Sequence, residues 1–201
     1  MIRMMYLMLF HGMIPIRKNG TWYRRFTPAY SLKRTMQMFN RINGGVIVEI
    51  GSGLQGKMSG DSMRYWVKTR AREIYALDLD EKQLTSLEPL VKKDNRIKPL
   101  LQDGLVFLTE YDKQISLLYL DFWTPEDGMP VEGMNRAENY LKAYQNAREK
   151  MAPTSMILID DTDHMAPWKH SLIIPEARKD GYIVEWTGRQ TLLTRMEANA
   201  N

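Results

Sequence analysis

From residue 46 onward, short apolar, β-branched runs alternate with stretches of helical period, and this alternation limits the chain to few folds. Val46–Ile50, Ile74–Leu77, Ile97–Leu101, Ile115–Leu120 and Met156–Ile159 read as strands. Between them, Ser62–Arg70, Glu81–Lys92, Gly104–Tyr111 and Asn135–Met151 read as helices. Such alternation predicts an α/β protein with a parallel sheet and helices on both faces, and right-handed crossovers leave few topologies. The ending breaks the pattern. Tyr182–Trp186 and Gln190–Thr194, joined through Thr187-Gly188-Arg189, read as a hairpin that adds an antiparallel element to a mostly parallel, seven-stranded sheet. Ligands of such sheets sit beyond the carboxyl ends of the strands, so the residues leaving each strand are the candidates for function.

The front differs from the body. Residues 1–45 are expected to form a basic, partly helical extension packed on the core, and residues 46–201 the sheet domain. Ser31 is placed to cap a helix reaching about Ile42, which Gly44-Gly45 would stop; the aromatic stretch before it (Trp22, Tyr23, Phe26, Tyr30) reads as loop. Met1–Phe10 is apolar with Arg3 inside it. His11, Gly12 and Pro15 end that run short of a membrane span, and no small-residue cleavage pattern follows. It is expected to be buried or to face a partner, with no stable membrane insertion.

No acidic residue precedes Glu49, whereas Arg3, Arg17, Lys18, Arg24, Arg25, Lys33, Arg34 and Arg41 all do. The remaining 20 basic residues face 24 acidic ones, so the body is mildly acidic. This asymmetry suits contact with phosphate, nucleic acid or another anionic partner, and equally a solvated face or one paired with the acidic body. The chain has no cysteine, which excludes disulfides, thiolate metal sites and cysteine nucleophiles and fits a cytoplasmic protein. Oligomeric state is not legible.

The first strand ends in Glu49-Ile50-Gly51-Ser52-Gly53-Leu54-Gln55-Gly56. Gly51, Gly53 and Gly56 satisfy the G-x-G-x-x-G spacing of dinucleotide sites. Glu49, however, sets a carboxylate at the ligand-facing strand end, and the loop continues through Lys57-Met58-Ser59-Gly60-Asp61 rather than entering a helix. A pyrophosphate there would want positive charge and backbone N–H groups instead. The E-x-G-x-G pattern resembles motif I of class I, Rossmann-like S-adenosylmethionine-dependent methyltransferases. That resemblance implies a carboxylate, Glu49, near the methionine amino end and Gly51 and Gly53 beneath the cofactor. Gln55 stands where a further glycine is usual. Ser62 is similar to a serine that contacts the cofactor carboxylate in catechol-type members, and it also fits a helix cap.

The later strand ends continue the comparison. Asp78 can accept hydrogen bonds from both ribose hydroxyls, which would serve NAD as well, and Asp80 fits a helix cap. In Gln102-Asp103-Gly104, the resemblance implies Asp103 as acceptor for the adenine amine with Gly104 beside it; Asp103 also fits a cap. Asp121, in Leu120-Asp121-Phe122-Trp123, matches the acidic residue that faces the methyl-transfer site, while Phe122 and Trp123 offer an aromatic wall or fill core.

Leu158-Ile159-Asp160-Asp161-Thr162-Asp163-His164 follows the fifth strand. Adjacent carboxylates at the end of an apolar strand need a counter-charge or a retained proton. Asp121, Asp160 and Asp161 would suit Mg²⁺, in a pattern that resembles metal-dependent O-methyltransferases. The lysine base of the catechol-type enzymes has no counterpart, since Thr124 stands at its position. His164 is the first candidate base, with Lys169 and His170 in reserve. The expected function is methyl transfer from S-adenosylmethionine to a hydroxyl of a small molecule or sugar, with Mg²⁺ assisting. An RNA methyltransferase using the basic front, and a non-catalytic or NAD-binding protein, are the alternatives.

Overall fold

The computed structural model describes residues 13–18, 21–42, 44–54, 61–122, 135–163 and 168–196. The front corrects the expectation of a loop. Strands β1 (Met13–Lys18) and β2 (Thr21–Phe26) pair antiparallel, with Met13 opposite Phe26 and Lys18 opposite Thr21. Isoleucine, threonine, tryptophan and tyrosine are strong strand formers, and runs this short, broken by arginine and lysine, carry no clear period-2 signature. Helix α1 (Pro28–Phe39) starts ahead of Ser31. Thr27 is its cap, its hydroxyl accepting from the Tyr30 N–H at 3.3 Å, and Pro28 costs the first turn no hydrogen bond. Ser31 is thereby placed inside the helix, on the buried face with Leu32, Thr35 and Phe39.

The main sheet holds β3 (Gly45–Ile50), β4 (Ala71–Asp78), β5 (Ile97–Leu101), β6 (Ile115–Leu120), β7 (Met151–Ile159), β8 (Ile183–Trp186) and β9 (Thr191–Arg195). Its order is β5-β4-β3-β6-β7-β9-β8. The first five run parallel, and β9 lies antiparallel between β7 and the edge strand β8. This is the expected seven-stranded, mostly parallel sheet with its terminal hairpin. The strand order reverses between β3 and β6, which opens a crevice at their carboxyl ends.

Side-chain alternation gives the sheet two faces, and each buries its own core. Val46, Val48, Ile50, Leu118, Leu120, Ile157 and Ile159 pack with Leu105, Leu108, Tyr140 and Tyr144, from α5 (Gly104–Glu110) and α6 (Arg136–Ala147). Ile47, Leu117, Tyr119, Met156 and Leu158 pack with Leu32 and Phe39 of α1 and with Met63 and Trp66 of α2 (Met63–Trp66). Asn135 and Glu138 close a capping box at the start of α6, satisfying two otherwise unpaired backbone donors.

Helix lengths depart from the sequence pattern at identifiable residues. The expected helix 81–92 divides into α3 (Glu81–Thr85) and α4 (Glu88–Val91), where Pro89 lacks the N–H a continuous helix would use. The expected 62–70 shrinks to α2, since Ala71 already enters β4. Helix α7 (Ile173–Lys179) was not expected; it is short and carries Pro175 in its first turn. Among the described residues no helix is long and apolar enough to cross a membrane.

Candidate active site

The register of the sheet sets one row of residues along its carboxyl edge. Ala76, Glu49, Tyr119, Leu158 and Leu192 are cross-strand neighbours on the face covered by α1 and α2. Two positions further along β6 and β7, on the same face, stand Asp121 and Asp160. The row therefore brings Glu49, Tyr119, Asp121 and Asp160 together from three strands.

Glu49 is buried, 1 % exposed. Ser62 Oγ donates to its Oε1 at 2.7 Å and Trp66 Nε1 to its Oε2 at 2.5 Å. The Ser52 hydroxyl lies near without closing a hydrogen bond. All these donors are neutral. Burial consequently dominates and pushes the carboxyl up to about 7, against the pull of the hydrogen bonds and with a further push from Asp160. Ser62 stands at the cap position of α2, yet its hydroxyl makes no cap bond. It serves Glu49 instead.

Gly51 follows with φ of +83°, and its N–H donates to the Leu77 carbonyl at 2.9 Å. A Cβ there would sit 2.6 Å from the Asp121 carbonyl, so only glycine lets the end of β3 pass the end of β6. Gly53 faces Gln83 closely, and the space beside Gly104 is filled by Ile50. Asp78 is half-buried at the end of β4; its Oδ1 accepts from the Asp80 N–H at 2.8 Å, and burial raises its pKa. Asp80 caps α3, as expected. Asp103 caps α5, with both bonds, from the Leu105 and Val106 N–H groups, ending on Oδ1. The cap reading of Asp103 is thus realised, and it leaves Oδ2 outside the cap.

Asp121 and Asp160 share one donor. The Tyr119 hydroxyl lies 3.3 Å from Asp121 Oδ2 and 3.0 Å from Asp160 Oδ2, and it accepts from Gln190 Nε2 at 3.2 Å. Ser31 donates in turn to Gln190 Oε1. A phenol has a single proton, so one carboxylate of the pair lacks this donor at any moment. Burial, then the Asp160 charge, raise the Asp121 pKa well above the carboxylate range; burial and both carboxylates hold Tyr119 protonated.

Asp161 adopts φ of 53°, left-handed for a residue with a side chain. This turns its carboxylate into an ion pair with Arg189 and leaves the other oxygen 3.8 Å from Lys169 Nζ. Thr162 fixes the turn, its N–H donating to the Arg189 carbonyl at 2.9 Å and its hydroxyl to the Gly188 carbonyl at 2.7 Å. The Mg²⁺ expectation finds no support here. Among the described residues no group of three acidic or histidine side chains is placed to hold a metal ion. Asp121 and Asp160 converge on a phenol while Asp161 turns to cations. The trio does not fit a divalent cation.

His164 and Trp123 lie outside the described residues. His170 is half-buried, and burial lowers its pKa. Phe122 stacks on Tyr140 at 4.3 Å between ring centroids, a core contact. The residues that organise the site but went unread in sequence are Tyr119, Gln190, Trp66 and Arg189. Tyr119 is the aromatic residue in a strand that is otherwise aliphatic but for Ser116, the one signal that marked it.

No family model matches the chain, and no curated protein matches it in sequence. Solved structures do match. A candidate caffeoyl-CoA O-methyltransferase from Staphylococcus aureus aligns with TM-score 0.59 at 10 % identity, over 82 % of this chain and 81 % of its own. A Podospora anserina methyltransferase bound to S-adenosylhomocysteine aligns with TM-score 0.54 at 15 % identity, over 84 % and 78 %. The T. thermophilus 16S rRNA N2 G1207 methyltransferase, in complex with S-adenosylmethionine and guanosine, aligns with TM-score 0.54 at 14 % identity, over 91 % and 49 %. The fold is the Rossmann-like methyltransferase fold. At these identities the likeness is one of architecture, and the proteins sharing it act on dissimilar acceptors.

Proposed function

We propose that this chain transfers a methyl group from S-adenosylmethionine to a hydroxyl of a small molecule or sugar. The observation that carries the reading is the convergence of Glu49, Gly51, Asp121 and Asp160 at the crevice where the strand order reverses. When bound, the cofactor supplies a methyl group made electrophilic by its sulfonium. Glu49 faces its amino end, with Ser62 orienting the carboxylate. Gly51 and Gly53 let the backbone approach, Asp78 accepts from the ribose hydroxyls, and Asp103 accepts from the adenine amine beside Gly104. Asp121 and Asp160 hold the acceptor hydroxyl, and Asp160 takes its proton as the carbon–oxygen bond forms and the carbon–sulfur bond breaks. Alignment and exclusion of water supply most of the acceleration such a displacement needs.

Calorimetry with S-adenosylhomocysteine and with NAD tests the cofactor directly. Binding of the first alone supports this reading, and binding of NAD alone replaces it with the dinucleotide alternative. The basic front favours a second reading, methylation of RNA. It requires RNA affinity that falls steeply with salt, about one counterion released per phosphate contacted.

A further inference from the structure

Lys169 is 2 % exposed, and its ammonium has no hydrogen-bond partner among the described residues. It lies 3.8 Å from Asp161 Oδ2 and over the Tyr140 ring, 5.0 Å from the centroid. Burial lowers its pKa from the ordinary lysine value and Arg136 adds to that, while Asp121, Asp161 and Asp160 oppose it and favour the ammonium, Asp121 most strongly. An ammonium has three N–H donors, and burying it without filling them is costly. Arg189 already pairs with Asp161 and Tyr119 already serves Asp121 and Asp160. The lysine is therefore surplus to the hydrogen bonding of this site, and its N–H donors are left for an acceptor oxygen to fill.

We propose that Lys169 takes the part a divalent cation would otherwise play: it balances Asp121, Asp160 and Asp161 and donates to the acceptor oxygen that gives up its proton. The identity of that oxygen rests on the methyl-transfer reading; the exclusion of metal by the lysine does not. As the acceptor O–H proton passes to a carboxylate, negative charge grows on the oxygen, and a donor already in place stabilises it without reorganisation. The transfer needs no metal, and a chelator leaves it unchanged.

The test uses the full chain as wild type, Lys169→Met and Lys169→Arg, with Mn²⁺ followed by electron paramagnetic resonance and S-adenosylhomocysteine by calorimetry. Wild type and Lys169→Arg are expected to bind no stoichiometric Mn²⁺. Lys169→Met keeps the aliphatic volume but leaves the carboxylates without their cation, so it should gain Mn²⁺ affinity by about tenfold or more, and adding Asp160→Asn should abolish the gain. A packing role alone would give no gain. The proposal is overturned if folded Lys169→Met binds Mn²⁺ no better than wild type, or if wild type binds one Mn²⁺ that Asp160→Asn removes. Should Lys169→Met not fold, the wild-type titration decides alone. Failure of wild type to bind S-adenosylhomocysteine would sink the methyl-transfer reading and leave the Mn²⁺ results standing.

Discussion

Replacing Glu49 by glutamine separates the cost of a buried carboxylate from its use. Burial lifts this group from its ordinary 4.5 to about 7. Between those values the folded chain holds a proton that the unfolded chain has released. Stability contributed by this group therefore falls as pH rises through that window, and the loss is complete above 7. The shift corresponds to about 3 kcal/mol. Glutamine is isosteric and can keep both contacts, since its oxygen accepts from Trp66 Nε1 while its amide donates to Ser62, whose hydroxyl reverses to accept. Glu49→Gln should accordingly be more stable than wild type by up to about 3 kcal/mol near pH 8, or about 6–12 °C in a chain of this size, and equal to it near pH 4.5. Urea unfolding of both proteins across that range measures the gap. A gap independent of pH, or a wild type that gains stability as pH rises through the window, would refute the assignment of burial as the dominant cause.

If the same carboxylate meets the cofactor's amino group, S-adenosylhomocysteine should bind wild type more tightly as pH rises through about 7, and Glu49→Gln should flatten that dependence in calorimetry. Asp78→Ala should weaken S-adenosylhomocysteine binding by about tenfold or more, the loss expected for hydrogen bonds to a charged acceptor; unchanged affinity removes Asp78 from the site. Tyr119→Phe strips the shared donor from Asp121 and Asp160 and the acceptor from Gln190. It should cost about 1–3 kcal/mol in denaturant unfolding, and a neutral result would mean that the network is closed by other groups. Asp160→Ala should abolish methyl transfer, followed as S-adenosylhomocysteine release with a responsive acceptor, while leaving cofactor affinity within about twofold.

Most of the sheet was legible because its strands obey strong rules. Val46–Ile50 and Ile115–Leu120 are near-continuous apolar runs, as strands buried on both faces require, and the structure keeps both. The strand ends were legible for a related reason: a carboxylate leaving an apolar run stands out wherever the run stops. What could not be read were features fixed by partners distant in sequence. Ser31 looks like a helix cap until Gln190, brought in by β9, offers its side chain. Ser62 likewise looks like a cap until Glu49 takes its hydroxyl. The short helices α2, α4 and α7 make too few turns to show a period.

The acidic edge shows the same division between what a strand declares and what a loop supplies. Glu49, Asp121, Asp160 and Asp161 were all visible as charges that had to be answered, and a metal ion was the economical answer from sequence. The structure answers each differently. Glu49 receives only neutral donors, so it retains its proton toward neutral pH. Asp161 turns through a left-handed backbone conformation to reach Arg189 on the β8–β9 turn. Asp121 and Asp160 divide one phenol, Asp160 also accepts from the Asp161 N–H, and the buried Lys169 supplies the positive charge that acts on Asp121. Neither cation belongs to a parallel strand. Each is delivered by a segment whose position depends on where α7 and the terminal hairpin pack, so the number of negative charges was readable one strand at a time, while their compensation required the whole sheet to be assembled.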